Sequence, residues 1–258
     1  PLGFKLINVY LNAGFKLREL VIKRQHNCKT TGFWHASSIK YNFLLLAHEY
    51  LPIFEKPKSL KPLSIRERVA DYSLVVPTFE KPQLKRRLAE LETTTVWILP
   101  EKGFEECLNK NVVDRYSNGK GYSTVFFIFH SKNETKFTET KGQKGKKSLF
   151  IKAPFLNNSP SSSNIECYLK EIKGIIEQDL SSNKDGFVVI QTQDVRIDGY
   201  IEPLAKRIVD MLTSDSLWLK EIVVITQEKQ DSGIQNPKDY LKISHQYLLV
   251  YENRRLQK

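Results

Sequence analysis

Pro203-Leu-Ala-Lys-Arg-Ile-Val-Asp-Met-Leu-Thr-Ser-Asp-Ser-Leu-Trp-Leu-Lys-Glu-Ile-Val-Val224 decides how this chain is read, because its beginning repeats that stretch. Pro1 to Ile22 aligns on it without a gap, at an offset of 202 residues. Pro1/Pro203, Leu2/Leu204, Leu17/Leu219, Glu19/Glu221 and Val21/Val223 are identical. Lys5/Arg207, Leu6/Ile208, Asn8/Asp210, Arg18/Lys220 and Leu20/Ile222 are exchanges of like for like. The match resumes as His48-Glu-Tyr-Leu-Pro-Ile-Phe-Glu55 against His245-Gln-Tyr-Leu-Leu-Val-Tyr-Glu252, at an offset of 197 residues, so only a connecting loop differs in length. A chance resemblance would not hold one register across helix, strand and strand. The chain therefore reads as an internal repeat.

The second copy is the fuller one. Gly186-Phe-Val-Val-Ile-Gln191 is a short apolar, β-branched run opened by Gly, the pattern of a buried strand. Tyr200 to Leu212 places Ile201, Leu204, Ile208, Met211 and Leu212 at helical spacing, with Pro203 in the tolerated first turn. Leu217–Thr226 and Ile243–Tyr251 are further strands, joined by a polar loop with Gly233 and Pro237. Strand, crossover helix, strand and returning strand predict a parallel βαβ unit closed by an antiparallel hairpin. The first copy has the helix and hairpin with no strand before them. Its helix opens on Pro1 rather than Met, so the reading expects a cut-down piece of a longer protein.

Composition sets the outer limits. The 258 residues allow one large domain or two small ones, and 40% apolar content is enough for a core. No run is long enough to span a membrane, and the lack of a signal peptide pattern says little, since the reading expects the true N-terminus to be missing. Cys28, Cys107 and Cys167 are scattered and odd in number, which fits a reducing cytosol and neither a disulfide framework nor a zinc site. A net charge of +11 points to nucleic acid, or to a generally basic soluble protein.

Residues 1–56 hold the helix, a strand (Phe15–Lys23), a long loop and a strand (Asn42–Lys56). Pro52 in that last strand calls for a bulge or an edge position. The loop, Gln25-His26-Asn27-Cys28-Lys29-Thr30-Thr31-Gly32-Phe33-Trp34-His35, gathers polar donors, a Lys and two aromatics at a strand end. Stacking surfaces beside hydrogen bonders suit an unstacked base, which makes Gln25, His26, Asn27, Lys29, Phe33 and Trp34 candidate DNA contacts. Two other readings stand beside it. Phe33 and Trp34 fold back on the core, or His26, Cys28 and His35 bind a metal, although no fourth ligand lies at useful spacing.

Residues 57–90 read as a Pro- and Lys-rich linker. Its helix candidates are Ser64–Tyr72, whose Ser64 and Glu67 suit a capping box, and Gln83–Leu91. Residues 91–258 read as the second unit: strand Thr93–Leu99, helix Phe104–Tyr116 and strand Tyr122–His130, then a mobile basic loop, Ser131–Lys147. Strand Ser148–Lys152 and amphipathic helix Asn164–Leu180 follow. Lys144, Lys146 and Lys147 in the basic loop are candidate phosphate contacts, against the simpler reading of a solvated hairpin tip.

Several of these stretches resemble SAM-dependent DNA amino-methyltransferases, which methylate the exocyclic amino group of adenine or cytosine. Pro1-Leu-Gly-Phe, Gly14-Phe-Lys-Leu-Arg-Glu-Leu20, Gln25-His-Asn-Cys28 and Ala47-His-Glu-Tyr-Leu51 look like the C-terminal end of that family. Glu92-Thr-Thr-Thr-Val-Trp97 and Asn111-Val-Val-Asp-Arg-Tyr-Ser117 are similar to the stretch before its SAM-binding motif. Gly186-Phe-Val-Val-Ile-Gln-Thr-Gln-Asp-Val-Arg196 resembles the strand and turn after its catalytic motif. The resemblance covers residues 1–56 and, more weakly, 91–253. It implies an α/β fold with a Rossmann-like, class I methyltransferase-like partial sheet, helices on both faces and an antiparallel strand in the terminal hairpin. SAM is the cofactor it implies, and DNA the partner.

Two departures qualify it. The family's Gly-rich FxGxGT turn has no counterpart: Val125-Phe-Phe-Ile-Phe129 runs into His130-Ser-Lys-Asn-Glu134. Its [DNS]-P-P-[YF] motif is matched only by Lys152-Ala153-Pro154-Phe155, where Lys replaces an acceptor. An ammonium has three donors and no acceptor, and its charge opposes the sulfonium of SAM. The sequence thus reads as part of a restriction-modification type methyltransferase. Its second copy has lost its chemistry and does not bind SAM alone, and a catalytic part upstream or a second subunit completes it. The alternative is a non-catalytic nucleic-acid-binding or subunit-docking module. An unrelated Rossmann-like enzyme is disfavoured, because no Gly-rich phosphate loop follows a strand.

Overall fold

The computed structural model describes residues 2–25, 32–56, 93–117, 122–129, 135–141, 148–153, 160–182, 186–212, 217–228 and 240–253. The first unit comprises α1 (Leu2–Asn12), β1 (Lys16–Arg24), α2 (Gly32–Lys40) and β2 (His48–Glu55). The second begins with β3 (Val96–Leu99), α3 (Phe104–Tyr116), β4 (Tyr122–Phe129), β5 (Thr135–Lys141), β6 (Ser148–Lys152) and α4 (Ser162–Ser182). It continues with β7 (Gly186–Thr192), β8 (Val195–Ile197), β9 (Tyr200–Glu202), α5 (Leu204–Met211), β10 (Leu217–Gln227) and β11 (His245–Asn253).

The chain is mixed α/β. Its main sheet has seven strands in the order β3-β10-β11-β7-β6-β4-β5. β4, β6 and β7 pair in parallel, as do β10 and β3, while β11 runs antiparallel to both β7 and β10. The β7–α5–β10 crossover is therefore a βαβ unit with the returning strand inserted between its two strands. Side chains along a strand alternate between faces. Leu149, Ile151, Val188, Ile190 and Leu249 join one apolar cluster with α4 and α5. Phe150, Phe187, Val189, Leu248 and Val250 join another with α3. Both faces of the central strands are covered, which is why β6 and β7 read as near-continuous apolar runs rather than alternating ones.

The first unit lies on the α4/α5 side, where Phe4, Ile7, Leu17 and Leu20 enter that cluster. Gly14, in the left-handed region at φ 84°, ends α1, and the Phe15 N–H closes the turn on the Tyr10 carbonyl at 3.1 Å. β1 and β2 form a two-stranded hairpin in which Leu17 faces Phe54 and Arg24 faces His48, with an irregularity between Leu17 and Glu19. In β10–β11, Leu219 faces Tyr251 and Thr226 faces His245, with an irregularity between Leu219 and Glu221. Pairing and bulge thus correspond at offsets of 202 and 197 residues, and His48 and His245 hold equivalent places. Each histidine meets a tyrosine edge-on at 5.0 Å, His48 with Tyr50 and His245 with Tyr247.

Corresponding residues also meet at the junction between the units. Asn8 donates to Asp210 at 3.2 Å. Glu19 accepts the Leu241 N–H at 3.4 Å, and Glu221 accepts the Leu44 N–H at 2.8 Å. Arg196 completes the junction. Its guanidinium donates to Glu19 (2.6 Å) and to the carbonyls of Arg18 (3.0 Å), Gly199 (2.8 Å) and Leu241 (3.1 Å), and it lies over the Tyr240 ring.

The structure corrects four expectations. The long loop after β1 contains α2, held from outside through its buried Ser38, whose hydroxyl donates to the Phe43 carbonyl at 2.6 Å and accepts from the Arg115 guanidinium at 3.4 Å. The strand expected over Asn42–Lys56 begins only at His48, because Leu45 instead bridges to Thr94. The helix expected from Tyr200 begins at Leu204. Asp198 (φ 49°) and Gly199 (φ 84°) turn β8 back into β9, the two positive φ angles of a tight hairpin turn. The basic stretch Ser131–Lys147 contains β5, an edge strand in which Thr and Phe residues are mixed with Lys136, Glu139 and Lys141. Pro52 meets its expectation of an edge. It faces Leu20 in a strand that pairs only with β1 among the described residues. The linker over residues 57–90 lies outside the described residues.

Candidate functional site at the carboxyl ends of the central strands

In open α/β sheets the carboxyl ends of the parallel strands are where ligands gather. β6 ends there in Lys152, and Ala153 follows it, the start of the degenerate motif; Pro154 and Phe155 lie outside the described residues. Lys152 is 4% exposed, and its ammonium is ion-paired with Glu105 in the first turn of α3. An ammonium can sit so deep because a carboxylate meets it. Beside Lys152 in register stands Gln191 of β7. Its Nε2 donates to Gln246 Oε1 at 2.7 Å, while its own Oε1 is buried without a hydrogen-bond partner among the described residues. The Ala153 N–H donates to the Gln191 carbonyl at 3.0 Å, and the Ala153 carbonyl accepts the Tyr168 hydroxyl at 2.6 Å. The motif's first position therefore presents donors and a cation. At the second position the Ala153 carbonyl already accepts the Tyr168 hydroxyl. The Lys152 side chain cannot accept a hydrogen bond from an exocyclic amine, and the unpartnered acceptor beside it among the described residues is Gln191 Oε1.

A second polar group lies just beyond β7. Asp194 is buried and accepts from the Ala205 N–H at 3.2 Å, with the Leu204 N–H and the Tyr247 hydroxyl also bonded to it. It thus caps α5 in place of Pro203, which has no side-chain donor or acceptor. Burial pushes its pKa up to about 7, against the pull of those hydrogen bonds. Burial likewise keeps His48 and His245 neutral, the latter down to about 4. His48 Nδ1 lies 2.9 Å from Thr95 Oγ1, and His245 Nε2 lies 2.8 Å from the Tyr247 hydroxyl.

The other predicted site residues are placed only in part. Gln25 follows the last residue of β1 and donates to Glu49 at 2.7 Å, and Trp34 is exposed on α2, which carries Phe33 as well. His26, Asn27, Lys29, Lys144, Lys146 and Lys147 lie outside the described residues. Glu105, Gln191, Gln246 and Asp194 escaped the sequence reading. Asp194, a carboxylate just after an apolar strand, carried a usable signal. The Lys152–Glu105 pairing, across 47 residues, carried none.

Two clefts open nearby. One of about 190 Å³ is lined by Phe104, Gln193, Thr226, Ser244 and Gln246, and one of about 350 Å³ lies between β1 and the β3/β10 edge. Among the described residues, no cluster of His, Cys, Asp and Glu could hold a metal ion, and no helix is long and apolar enough to cross a membrane. No family model, curated protein or solved structure matches this chain.

Proposed function

We propose that this chain is part of a SAM-dependent DNA amino-methyltransferase in which the second unit is a scaffold that has lost methyl transfer. The observation that carries this reading is Lys152, buried and paired with Glu105 where the catalytic acceptor belongs. The mixed α/β sheet with an antiparallel strand in its terminal hairpin supports a Rossmann-like, class I methyltransferase-like fold. The matched registers, bulges and His–Tyr pairs of the two hairpins support an internal repeat. DNA is the proposed partner, and the cytosol the proposed location.

Isothermal titration with SAM is expected to show no binding by this chain alone. A micromolar site would overturn the scaffold reading. Binding to DNA is expected to fall with salt at a log–log slope of roughly −0.9 per phosphate neutralised. Replacing Lys144, Lys146 and Lys147 by Gln should flatten that slope and leave base preference alone. Trp34→Ala should leave the slope alone and weaken binding to single-stranded or mismatched DNA by about 1–3 kcal/mol per stacked base. Fluorescence anisotropy at several salt concentrations separates the two effects. If the wild type binds no DNA even at low salt, the methyltransferase reading fails and a subunit-docking module takes its place.

A further inference from the structure

Positions that correspond in the two units differ in one respect. Leu51 is 56% and Ile53 43% exposed, whereas their counterparts on β11, Leu248 and Val250, are fully buried beneath α3. Leu2 is 86% and Leu6 46% exposed, whereas Leu204 and Ile208 are fully buried against α4. The backbone repeats the contrast. β11 is paired on both sides, by β10 and β7, while β2 is paired only by β1 among the described residues. Among the described residues, the first unit thus leaves open the strand edge and both apolar faces that the second unit covers with a strand and two helices.

We propose that the open edge of β2 and the exposed face of α1 form a docking surface for a further α/β unit, seated through an apolar strand like β7 that runs antiparallel to β2. This rests on reading the two units as copies, and it names the kind of partner that reading requires. The arrangement to be matched is on the page: β7 meets β11 with Val189 opposite Val250 and Thr192 opposite Tyr247. The corresponding places on β2 are Ile53 and Tyr50. Strand addition to a free edge draws affinity from main-chain hydrogen bonds and selectivity from alternate side chains. Pro52 removes one donor from that edge. The Gln25 N–H bonds to the Ala47 carbonyl, and counting in twos from there turns the Pro52 nitrogen away from β1. A strand seated here makes one bond fewer than β7 makes with β11.

The probe is a fluorescein-labelled peptide with the sequence Gly186 to Asp194 and a lysine pair for solubility, titrated into the whole chain by anisotropy. Saturable binding is expected, absent for a scrambled peptide. Leu51→Glu with Ile53→Glu should weaken it by about tenfold or more, since each places a charge where an apolar side chain would be buried. Both positions are exposed, so the double variant keeps its fold, checked by circular dichroism. Pro52→Val should tighten binding by restoring a donor to the open edge. Amide hydrogen exchange should slow over residues 50–55 when peptide is bound. No saturable binding to wild type or Pro52→Val, or binding indifferent to the paired glutamates, overturns the proposal. SAM titration and DNA binding test the methyltransferase reading separately, so either can fail alone.

Discussion

Replacing Arg196 by alanine is expected to lower the free energy of unfolding by about 3–5 kcal/mol, the range for stripping a buried ion of its partner. Glu19 keeps only 11% of its side chain exposed and Arg196 19%, so neither is solvated in isolation. The variant would leave the Glu19 carboxylate with the Leu241 N–H alone, and would also orphan the Arg18, Gly199 and Leu241 carbonyls. Glu19→Gln should cost less, because an uncharged amide tolerates burial and Arg196 keeps its three carbonyl acceptors. The exposed Lys23–Glu49 pair provides the comparison, and Lys23→Ala should change stability by less than about 1 kcal/mol. Urea unfolding followed by circular dichroism measures all three. An Arg196→Ala loss as small as that of Lys23→Ala would mean that the junction is held by apolar packing alone.

The second large effect is a pH dependence hidden in the wild type. Asp194 has its folded pKa raised from 3.8 to about 7. The folded state therefore binds the extra proton, and the Asp194 contribution to stability falls as pH rises from about 4 to 7. His245 has its folded pKa lowered from 6.5 to about 4, and His48 is lowered too. For both the unfolded state binds more protons, and the His245 contribution is complete above pH 6.5 and is lost as pH falls toward 4. The two trends oppose each other in one window. Asp194→Asn removes the first, so its stability relative to wild type should climb by up to about 4 kcal/mol between pH 4 and 7.5, at 1.36 kcal/mol per pKa unit. His245→Gln should move the opposite way, losing ground relative to wild type as pH rises from 4 to 6.5. Chemical unfolding at a series of pH values gives both curves. A flat Asp194→Asn difference would show that the carboxyl is ionised and solvated in the folded protein.

The core elements were legible because each carries its own periodicity. Phe104–Tyr116 and Ser148–Lys152 were read with the boundaries they have, and β7, α4, β10 and β11 within two residues. The β8–β9 hairpin was legible too and went unread. Asp198-Gly199 between Val195-Arg-Ile and Tyr200-Ile-Glu is a hairpin signature, but Ile201 and Leu204 also fit the helix that follows. α2 is a different case. Its residues carry little helical amphipathicity, and the contacts that hold it come from Phe43 and Arg115. At the motif, the residue types were plain, and what Lys152 does there was not.

What this sequence determined by itself is most of the strands and helices, the likeness of its two ends at offsets of 202 and 197 residues, and the absence of an acceptor side chain at position 152. These are local facts, set by side-chain period and residue chemistry along a few neighbouring positions. Only the tertiary structure decided that β11 enters between β7 and β10, that Glu105 neutralises Lys152, that Asp194 caps α5, and that Glu19 and Glu221 reach across the junction to corresponding loops. Each joins residues far apart in the chain, where burial sets both the cost of a charge and the partner that offsets it. No spacing in the sequence records that choice.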